Sequence, residues 1–203
     1  MSARSMAAPA TDPRRTFGRG RLASLAIMAL TAAAILAVAS LVNRPADAAG
    51  VTPVNVTGDA TGPAPIVGKA APDFSAPMIG GGTLKLGSLV GSPVWLTFGA
   101  TWCQPCRAEN PDIQAAYDAF KARGVQVVQV YMGEDATAVS DYTSRVGITY
   151  LRVPDPTEQL AAEYRILGIP SHFFIDRSGA LHAIKVGTLD PETMAAMLTE
   201  ISG

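Results

Sequence analysis

Cysteine and histidine are scarce in this chain, which has two of each in 203 residues. The cysteines, Cys103 and Cys106, have two residues between them, whereas His172 and His182 lie far along the chain. A structural zinc site normally draws four such ligands, so this set argues against one, and we expect no metal or cofactor. A disulfide stabilises mainly by closing a long loop of the unfolded chain. A bridge between these two cysteines would therefore be a poor structural staple.

An excess of basic charge is also missing, because 16 Lys and Arg nearly balance 17 Asp and Glu. The balance gives no indication of nucleic-acid binding. Positive charge is nevertheless concentrated before the first apolar run, where Asp12 is the one acidic residue. The basic residues there are Arg4, Arg14, Arg15, Arg19 and Arg21.

Charge is absent altogether from Leu22–Val42. As a helix this run would be roughly 31 Å long, about the thickness of the bilayer hydrocarbon. The flanking arginines place residues 1–21 in the cytoplasm, 22–42 in the membrane as a signal anchor and the remainder outside. The alternative is a cleaved signal, since Ala46-Asp47-Ala48 fits a cleavage site and cleavage near Ala48 would give a secreted or periplasmic protein.

Aromatic residues and sustained periodicity are lacking in residues 43–66, which are rich in Pro, Gly, Ala and Thr. This composition predicts a flexible linker. The folded domain is then expected over residues 67–203. Its first feature is an N-terminal hairpin or short strand around the Gly80-Gly81-Gly82 turn.

The centre of the domain reads as a strand, a helix and a strand. Val94–Phe98 and Val125–Met132 are short apolar runs typical of buried strands, and Arg107–Arg123 has helical apolar spacing that ends at Gly124. This order puts Cys103 and Cys106 at the carboxyl end of a strand, where open α/β sheets place their sites.

A middle block and a terminal hairpin complete the α/β pattern. The block is predicted as a helix over 135–146, a strand over 149–153 and a helix over 157–164 that Asp155-Pro156 starts. Two strands then flank Asp176-Arg177-Ser178-Gly179, so the sheet should end antiparallel. Asp190-Pro191 opens a final helix, in which Met194 and Met197 read as core residues rather than a metal site.

The cysteine pair has the spacing of a redox-active dithiol. Cys103 would stand at a helix start, where unpaired backbone N–H groups favour a thiolate and lower the thiol pKa. We therefore expect Cys103 to attack, and Cys106 to resolve the mixed disulfide from the same helical face. Gln104 and Pro105 are uncharged, and they set the stiffness of the loop.

Three motifs give the chain a resemblance to the thioredoxin superfamily, and within it to the TlpA/ResA/CcmG-like membrane-anchored oxidoreductases. They are Ala71-Pro72-Asp73-Phe74, the stretch from Trp102 through Cys106 to Pro111, and Gly168 to Asp176 followed by Gly179. The resemblance implies a thioredoxin-like fold, with a central mixed sheet flanked by helices and a middle insertion. Trp102 belongs to the motif and is expected to support the active site.

The same resemblance implies roles for residues away from the cysteines. Pro170 would be a cis-proline facing the disulfide, and the backbone of Ile169 would pair with an extended substrate segment. Glu109 matches the glutamate that follows the second cysteine, and it either tunes thiol protonation or is a solvated surface residue. Thr97 stands where soluble thioredoxins carry a buried aspartate, and Ser171 and His172 also depart from the usual pattern.

The functional expectation is an extracytoplasmic thiol-disulfide oxidoreductase. It would reduce disulfides of exported proteins, for example in cytochrome c maturation, with electrons from a CcdA/DsbD-like membrane donor. One alternative is a redoxin-type peroxidase, because Ala71-Pro72-Asp73-Phe74 is shared with that branch. Another is a copper metallochaperone or redox sensor, although such proteins space their cysteines one residue wider.

Overall fold

The computed structural model describes residues 17–42 and 50–203. Contacts divide the chain into two units, Met1–Ala46 and Asp47–Gly203, which are described separately. In the first, helix α1 spans Phe17–Val42. Within the described residues, no helix combines the length and the apolar character needed to cross a membrane. The anchor over 22–42 stays a prediction, while residues 1–16 and the cleavage site at 46–48 lie outside the described residues.

The second unit contains short edge elements around one larger sheet. Its strands are β1 (Thr52–Pro53), β2 (Ser75–Pro77), β3 (Thr83–Lys85), β4 (Val94–Gly99), β5 (Gln126–Met132), β6 (Leu151–Asp155), β7 (Gly168–Ile169), β8 (Ser171–Ile175) and β9 (Leu181–Val186). Its α-helices are α2 (Gln104–Phe120), α3 (Ala136–Val146), α4 (Gln159–Glu163) and α5 (Pro191–Ser202), and 3₁₀ turns occupy Leu86–Leu89 and Lys121–Arg123.

The larger sheet has the strand order β6-β5-β4-β8-β9. Strands β4, β5 and β6 are parallel, because helices α2 and α3 carry the chain back across the sheet between them. Strands β8 and β9 are antiparallel neighbours that the Asp176–Gly179 turn joins. Every residue of β4 is buried, as its apolar sequence predicts for a central strand.

Side chains of β4 alternate between two hydrophobic layers. Leu96 and Phe98 pack on one face of the sheet. Trp95 packs on the other, against residues of α2 and α5 such as Ile113 and Met194. Met194 is fully buried, which confirms its prediction as a core residue. The hairpin β2–β3 around the glycine turn is also present.

Several predicted boundaries differ from the structure, and three of them have a visible cause. Helix α2 begins at Gln104, because Cys103 caps it and the first turn includes Pro105. Strand β6 begins at Leu151, because the side-chain oxygen of Gln114 accepts the Thr149 N–H at 2.9 Å and holds that residue outside the sheet. Helix α4 is shorter than predicted, since Glu158 precedes it in the left-handed region at φ 57°.

The prediction of a flexible linker does not hold for residues 50–66. Strand β1 pairs with β7, and Val54 and Val56 pack partly buried against the core. The Glu158 carboxylate accepts the N–H and hydroxyl of Thr57, both at 2.7 Å. Such contacts could not be predicted from the composition of this stretch, because backbone N–H groups and hydroxyls bind carboxylates without producing an apolar periodicity in the sequence. We call residues 50–62 the strap.

Candidate active site

The two cysteines lie where β4 leads into α2. Cys103 is the N-cap of α2 in an extended conformation, and its sulfur accepts the Cys106 backbone N–H at 3.2 Å. The two residues form a disulfide with 2.04 Å between the sulfur atoms. The preceding loop is held by Glu134, whose carboxylate accepts the Thr101 backbone N–H at 2.7 Å.

This placement favours a thiolate on Cys103 once the disulfide is reduced. The N–H of Cys106 and the positive end of the α2 dipole both stabilise negative charge at that sulfur. Cys103 and Cys106 are each only 1% exposed. Trp102 is 53% exposed beside them, Gln104 is exposed and Pro105 is half-buried.

Glu109 is a buried carboxyl one helical turn after Cys106. It is 3% exposed, so it is not the solvated surface glutamate that was one of its two interpretations. Its Oε1 atom accepts the Leu189 backbone N–H at 2.7 Å, whereas Oε2 has no hydrogen-bond partner among the described residues. Burial raises the pKa of Glu109 to about 7, even though the Leu189 bond works against that rise. The carboxyl can therefore hold or release a proton near neutral pH.

His172 faces Glu109 from strand β8. The Trp95 indole N–H donates to His172 Nδ1 at 3.3 Å, which leaves the imidazole proton on Nε2, 3.1 Å from the Gly187 carbonyl oxygen. Burial lowers the His172 pKa to about 4. Glu109 Oε1 and His172 Nε2 are 3.5 Å apart, which is within ion-pair distance. Both pKa shifts nevertheless favour the neutral forms, so around pH 6 the two groups are a neutral pair.

Sequence reasoning did not find the Trp95–His172–Glu109 group. Its members come from β4, β8 and α2, and only sheet register brings the strands together, with Thr97 opposite His172. A signal did exist, since His172 follows the motif proline and departs from the usual residue there. Thr97, where soluble thioredoxins carry an aspartate, is buried and does not titrate.

The edge strand β7 leads into the motif proline. The Ile169–Pro170 peptide bond is cis, as the resemblance implies. Ile169 is opposite Thr52 of β1, and Thr52 Oγ1 lies 3.8 Å from Cys103 Sγ. A residue paired with Ile169 is thus next to the sulfur of Cys103. Thr52 was missed because it falls in the stretch that was predicted as linker.

The family model that matches this chain is that of the AhpC/TSA family, over residues 67–184. The chain belongs to the AhpC/TSA family.

Two curated relatives of this chain share one activity. The thiol-disulfide oxidoreductase ResA of Geobacillus kaustophilus is 33% identical over 135 residues, covering 66% of this chain and 78% of the relative. ResA of Bacillus subtilis is 33% identical over 122 residues, covering 60% of this chain and 68% of the relative. Like them, this AhpC/TSA family member is a thiol-disulfide oxidoreductase.

Solved structures confirm the thioredoxin-like fold. A thiol:disulfide interchange protein of the thioredoxin family from Chlorobium tepidum superposes with a TM-score of 0.61 at 30% identity, covering 66% of this chain and 97% of that chain. StoA from Bacillus subtilis gives a TM-score of 0.55 at 27% identity, covering 62% of this chain and 96% of that chain.

Beneath the disulfide of this family member lies a buried polar network. A Cβ atom at Gly99 would lie 3.4 Å from Cys106 Sγ and 3.1 Å from Gln129 Nε2, so glycine lets both groups approach the strand. Gln129 Oε1 accepts the hydroxyls of Tyr131 at 2.9 Å and Tyr150 at 2.7 Å. Burial raises the pKa of both tyrosines well above the ordinary value, so they remain proton donors.

The histidines are engaged in hydrogen bonds. Both ring nitrogens of His172 have partners, and His182 Nε2 lies 2.8 Å from Glu200 Oε2. Across residues 17–42 and 50–203, no group of three or more His, Cys, Asp or Glu side chains is placed to hold a metal ion. The copper-site alternative gains no support from the described residues.

Proposed function

We propose that this oxidoreductase reduces disulfides in exported proteins, with Cys103 as the attacking and Cys106 as the resolving sulfur. The observation that carries the proposal is the position of Cys103 Sγ. It lies at the N-terminus of α2 and 3.8 Å from the residue that pairs with Ile169. An extended substrate segment on the backbone of Ile169, beside Pro170, would bring its own disulfide to that sulfur.

The exchange takes two steps. The Cys103 thiolate attacks one substrate sulfur and forms a mixed disulfide, while the other substrate sulfur leaves as a thiolate and takes a proton from water. The Cys106 thiolate then attacks Cys103, releases the second substrate thiolate and leaves the Cys103–Cys106 disulfide. Two electrons pass to the substrate, and a donor must then reduce the Cys103–Cys106 disulfide again.

Supporting roles follow from the positions of the neighbouring residues. Glu109, one turn after Cys106 and with a pKa of about 7, would accept or return the proton of the resolving thiol. Exposed Trp102 offers an apolar contact to an arriving protein, and the uncharged Gln104-Pro105 pair sets the stiffness of the loop.

The proposal also covers location. The uncharged run 22–42 behind the arginines of residues 1–21 supports a single-pass anchor with the domain of residues 67–203 outside the cytoplasm. Electrons would then come from a CcdA/DsbD-like membrane donor, and maturing cytochromes c would be the destination. Intact cells test this: a membrane-impermeant thiol reagent should label reduced Cys103 and leave a tag at Ser2 protected from protease.

Trapping tests the roles of the cysteines. Cys106→Ala in the full chain should accumulate mixed disulfides with exported proteins, because the resolving thiol is gone. Cys103→Ala is the matched control and should trap almost none. Equal trapping by the two variants would show that the roles are wrong. Peroxide consumption without trapping would favour the peroxidase alternative.

The direction of exchange is tested by the reduction potential. The Gln104-Pro105 pair lacks a cation that would specially stabilise a Cys103 thiolate, and strong oxidants depend on such stabilisation. We expect a potential more negative than about −180 mV, the value of disulfide isomerases. Equilibration against a glutathione series measures it, and a value near about −120 mV would contradict the reductant assignment.

A further inference from the structure

We propose that the strap is an internal competitor for substrate, with residues 51–54 seated on the edge strand that an extended substrate segment would use. The proposal rests on the function above, since it takes Ile169 as the substrate-pairing position. It adds that the strap occupies this edge in the structure and that substrate must displace part of the protein's own chain.

The pairing between strap and edge is that of an added strand. Thr52 is opposite Ile169, Pro53 is opposite Gly168, and the two strands are antiparallel. The Val54 N–H continues the ladder by donating to the Leu167 carbonyl oxygen at 3.1 Å. Backbone pairing of this kind is how proteins bind extended peptides at a sheet edge.

Thr52 occupies the place of a substrate cysteine. Its Oγ1 atom lies 3.8 Å from Cys103 Sγ, at the position paired with Ile169. The side chain is close to cysteine in size, but it carries a hydroxyl and a methyl group in place of the thiol, so it cannot undergo exchange. Cys103 is 1% exposed with the strap in place, and residues 50–53 of the strap form one wall of the cleft that Cys103 lines.

Close packing fits the strap to this edge. A Cβ atom at Gly168 would come within 2.7 Å of Val51 Cγ1, and one at Gly50 would come within 2.4 Å of Thr188 Oγ1. Real Cβ atoms essentially never approach so closely. Glycine at both positions therefore permits the strap to lie where it does.

A second set of contacts holds the far end of the strap. The Glu158 carboxylate binds Thr57, and the Glu163 carboxylate accepts the backbone N–H groups of Thr61 and Gly62, both at 2.9 Å. With residues 57–62 held in this way, residues 50–54 can leave the edge while the rest of the strap stays bound. The effective concentration of the competitor then remains high.

Cross-linking in the full chain tests whether the strap reaches Cys103. Thr52→Cys is combined with Cys106→Ala, and glutathione disulfide is added as oxidant. Cys103 forms a mixed disulfide with glutathione, the thiol at position 52 attacks the Cys103 sulfur, and glutathione thiolate leaves. Asn55→Cys with Cys106→Ala is the control, because Asn55 is exposed on the strap. We expect closure at least about tenfold faster from position 52, and equal rates would overturn the proposal.

Kinetics test whether the strap competes. Gly50→Ala should displace the strap through its clash with Thr188, and Gly68→Ala is the matched control. Both glycines have positive φ, of 72° and 82°, but at Gly68 no atom lies within 4 Å of the added Cβ. If the displaced strap loses one net hydrogen bond to the edge strand, it competes with substrate less well by about 1 kcal/mol. Insulin reduction by Gly50→Ala should then be about fivefold faster than by Gly68→Ala.

The outcomes separate this proposal from the function on which it rests. Val54→Pro removes the donor to Leu167, and it serves as a second variant if Gly50→Ala does not fold. Insulin reduction at one rate by the wild type, Gly50→Ala and Val54→Pro would overturn the competing strap but leave the reductant function standing. Failure of every form to reduce insulin would overturn the reductant function, and cross-linking from position 52 would then still decide where the strap lies.

Discussion

Replacing Glu109 by glutamine should make the folded state less sensitive to pH. The Glu109 pKa is raised from 4.5 to about 7, mainly by burial. Each pKa unit is worth about 1.4 kcal/mol, so ionising this carboxyl in the folded state costs about 3 kcal/mol. Glutamine keeps an oxygen for the Leu189 N–H and never carries the charge.

The pH window of this effect follows from the two pKa values. Below about pH 4.5 the carboxyl is protonated in both the folded and the unfolded chain, so it lowers stability least there. Between 4.5 and about 7 the unfolded chain releases the proton first, and the free energy of unfolding falls as pH rises. Above about 7 the full cost is present, and Glu109→Gln should exceed the wild type by up to about 3 kcal/mol.

Urea unfolding of the oxidised segment 50–203 between pH 4.5 and 8 measures this difference. Glu192→Gln, on the exposed first turn of α5, is the control and should follow the wild-type curve. If Glu109→Gln loses as much stability across that range as the wild type, the buried carboxyl is not the source of the pH dependence. Stability lost on acidification instead would show that the Glu109 pKa is lowered, not raised.

Further predictions concern packing and the strap. Gly99→Ala should lower the free energy of unfolding by about 1–2 kcal/mol in urea, because its Cβ crowds Cys106, and an unchanged value would contradict the close approach. Glu163→Gln should speed amide exchange at Thr61, because the charged acceptor of the Thr61 N–H is lost. In the wild type the Glu163 pKa is lowered to about 2, so the hydrogen bond from Thr61 should weaken only as pH falls from about 4.5 towards that value. The free energy of unfolding of a segment that starts at residue 67 should be about 2 kcal/mol lower than that of one that starts at residue 50, because the partly buried Val54 and Val56 are lost. Equal free energies would show that residues 50–66 are only a linker.

Local patterns in the sequence were enough to predict the framework of the sheet. Val94–Phe98 and Val125–Met132 are continuous apolar runs, and the turn after Ile175 has its own residue signature, so strands β4, β5, β8 and β9 were found. The cysteine pair was found for the same reason, since its spacing and the following helix are contiguous in the chain. Boundaries failed where a distant side chain decided them, as Gln114 does at Thr149.

The parts of the site that escaped prediction depend on contacts between distant segments. Thr52 reaches Cys103 across 51 positions of sequence, and Trp95 reaches His172 across 77. Neither pair leaves a periodic signal, because each contact is made by one polar side chain in an irregular or fully buried segment. Glu109 could not be assigned to the surface or the interior for the same reason, since its burial depends on Leu189 and His172 arriving from other elements.

The shortness of the edge strand Gly168–Ile169 has a consequence for the timing of the reaction. A two-residue ladder offers main-chain groups only, and a folded protein has already satisfied its own main chain. Chains that have not yet folded still have free backbone N–H and C=O groups to pair with it. A site built on such an edge would select substrates by how far they have folded rather than by their amino-acid sequence. Reduction would then precede maturation, and completed folding would itself end access to the enzyme.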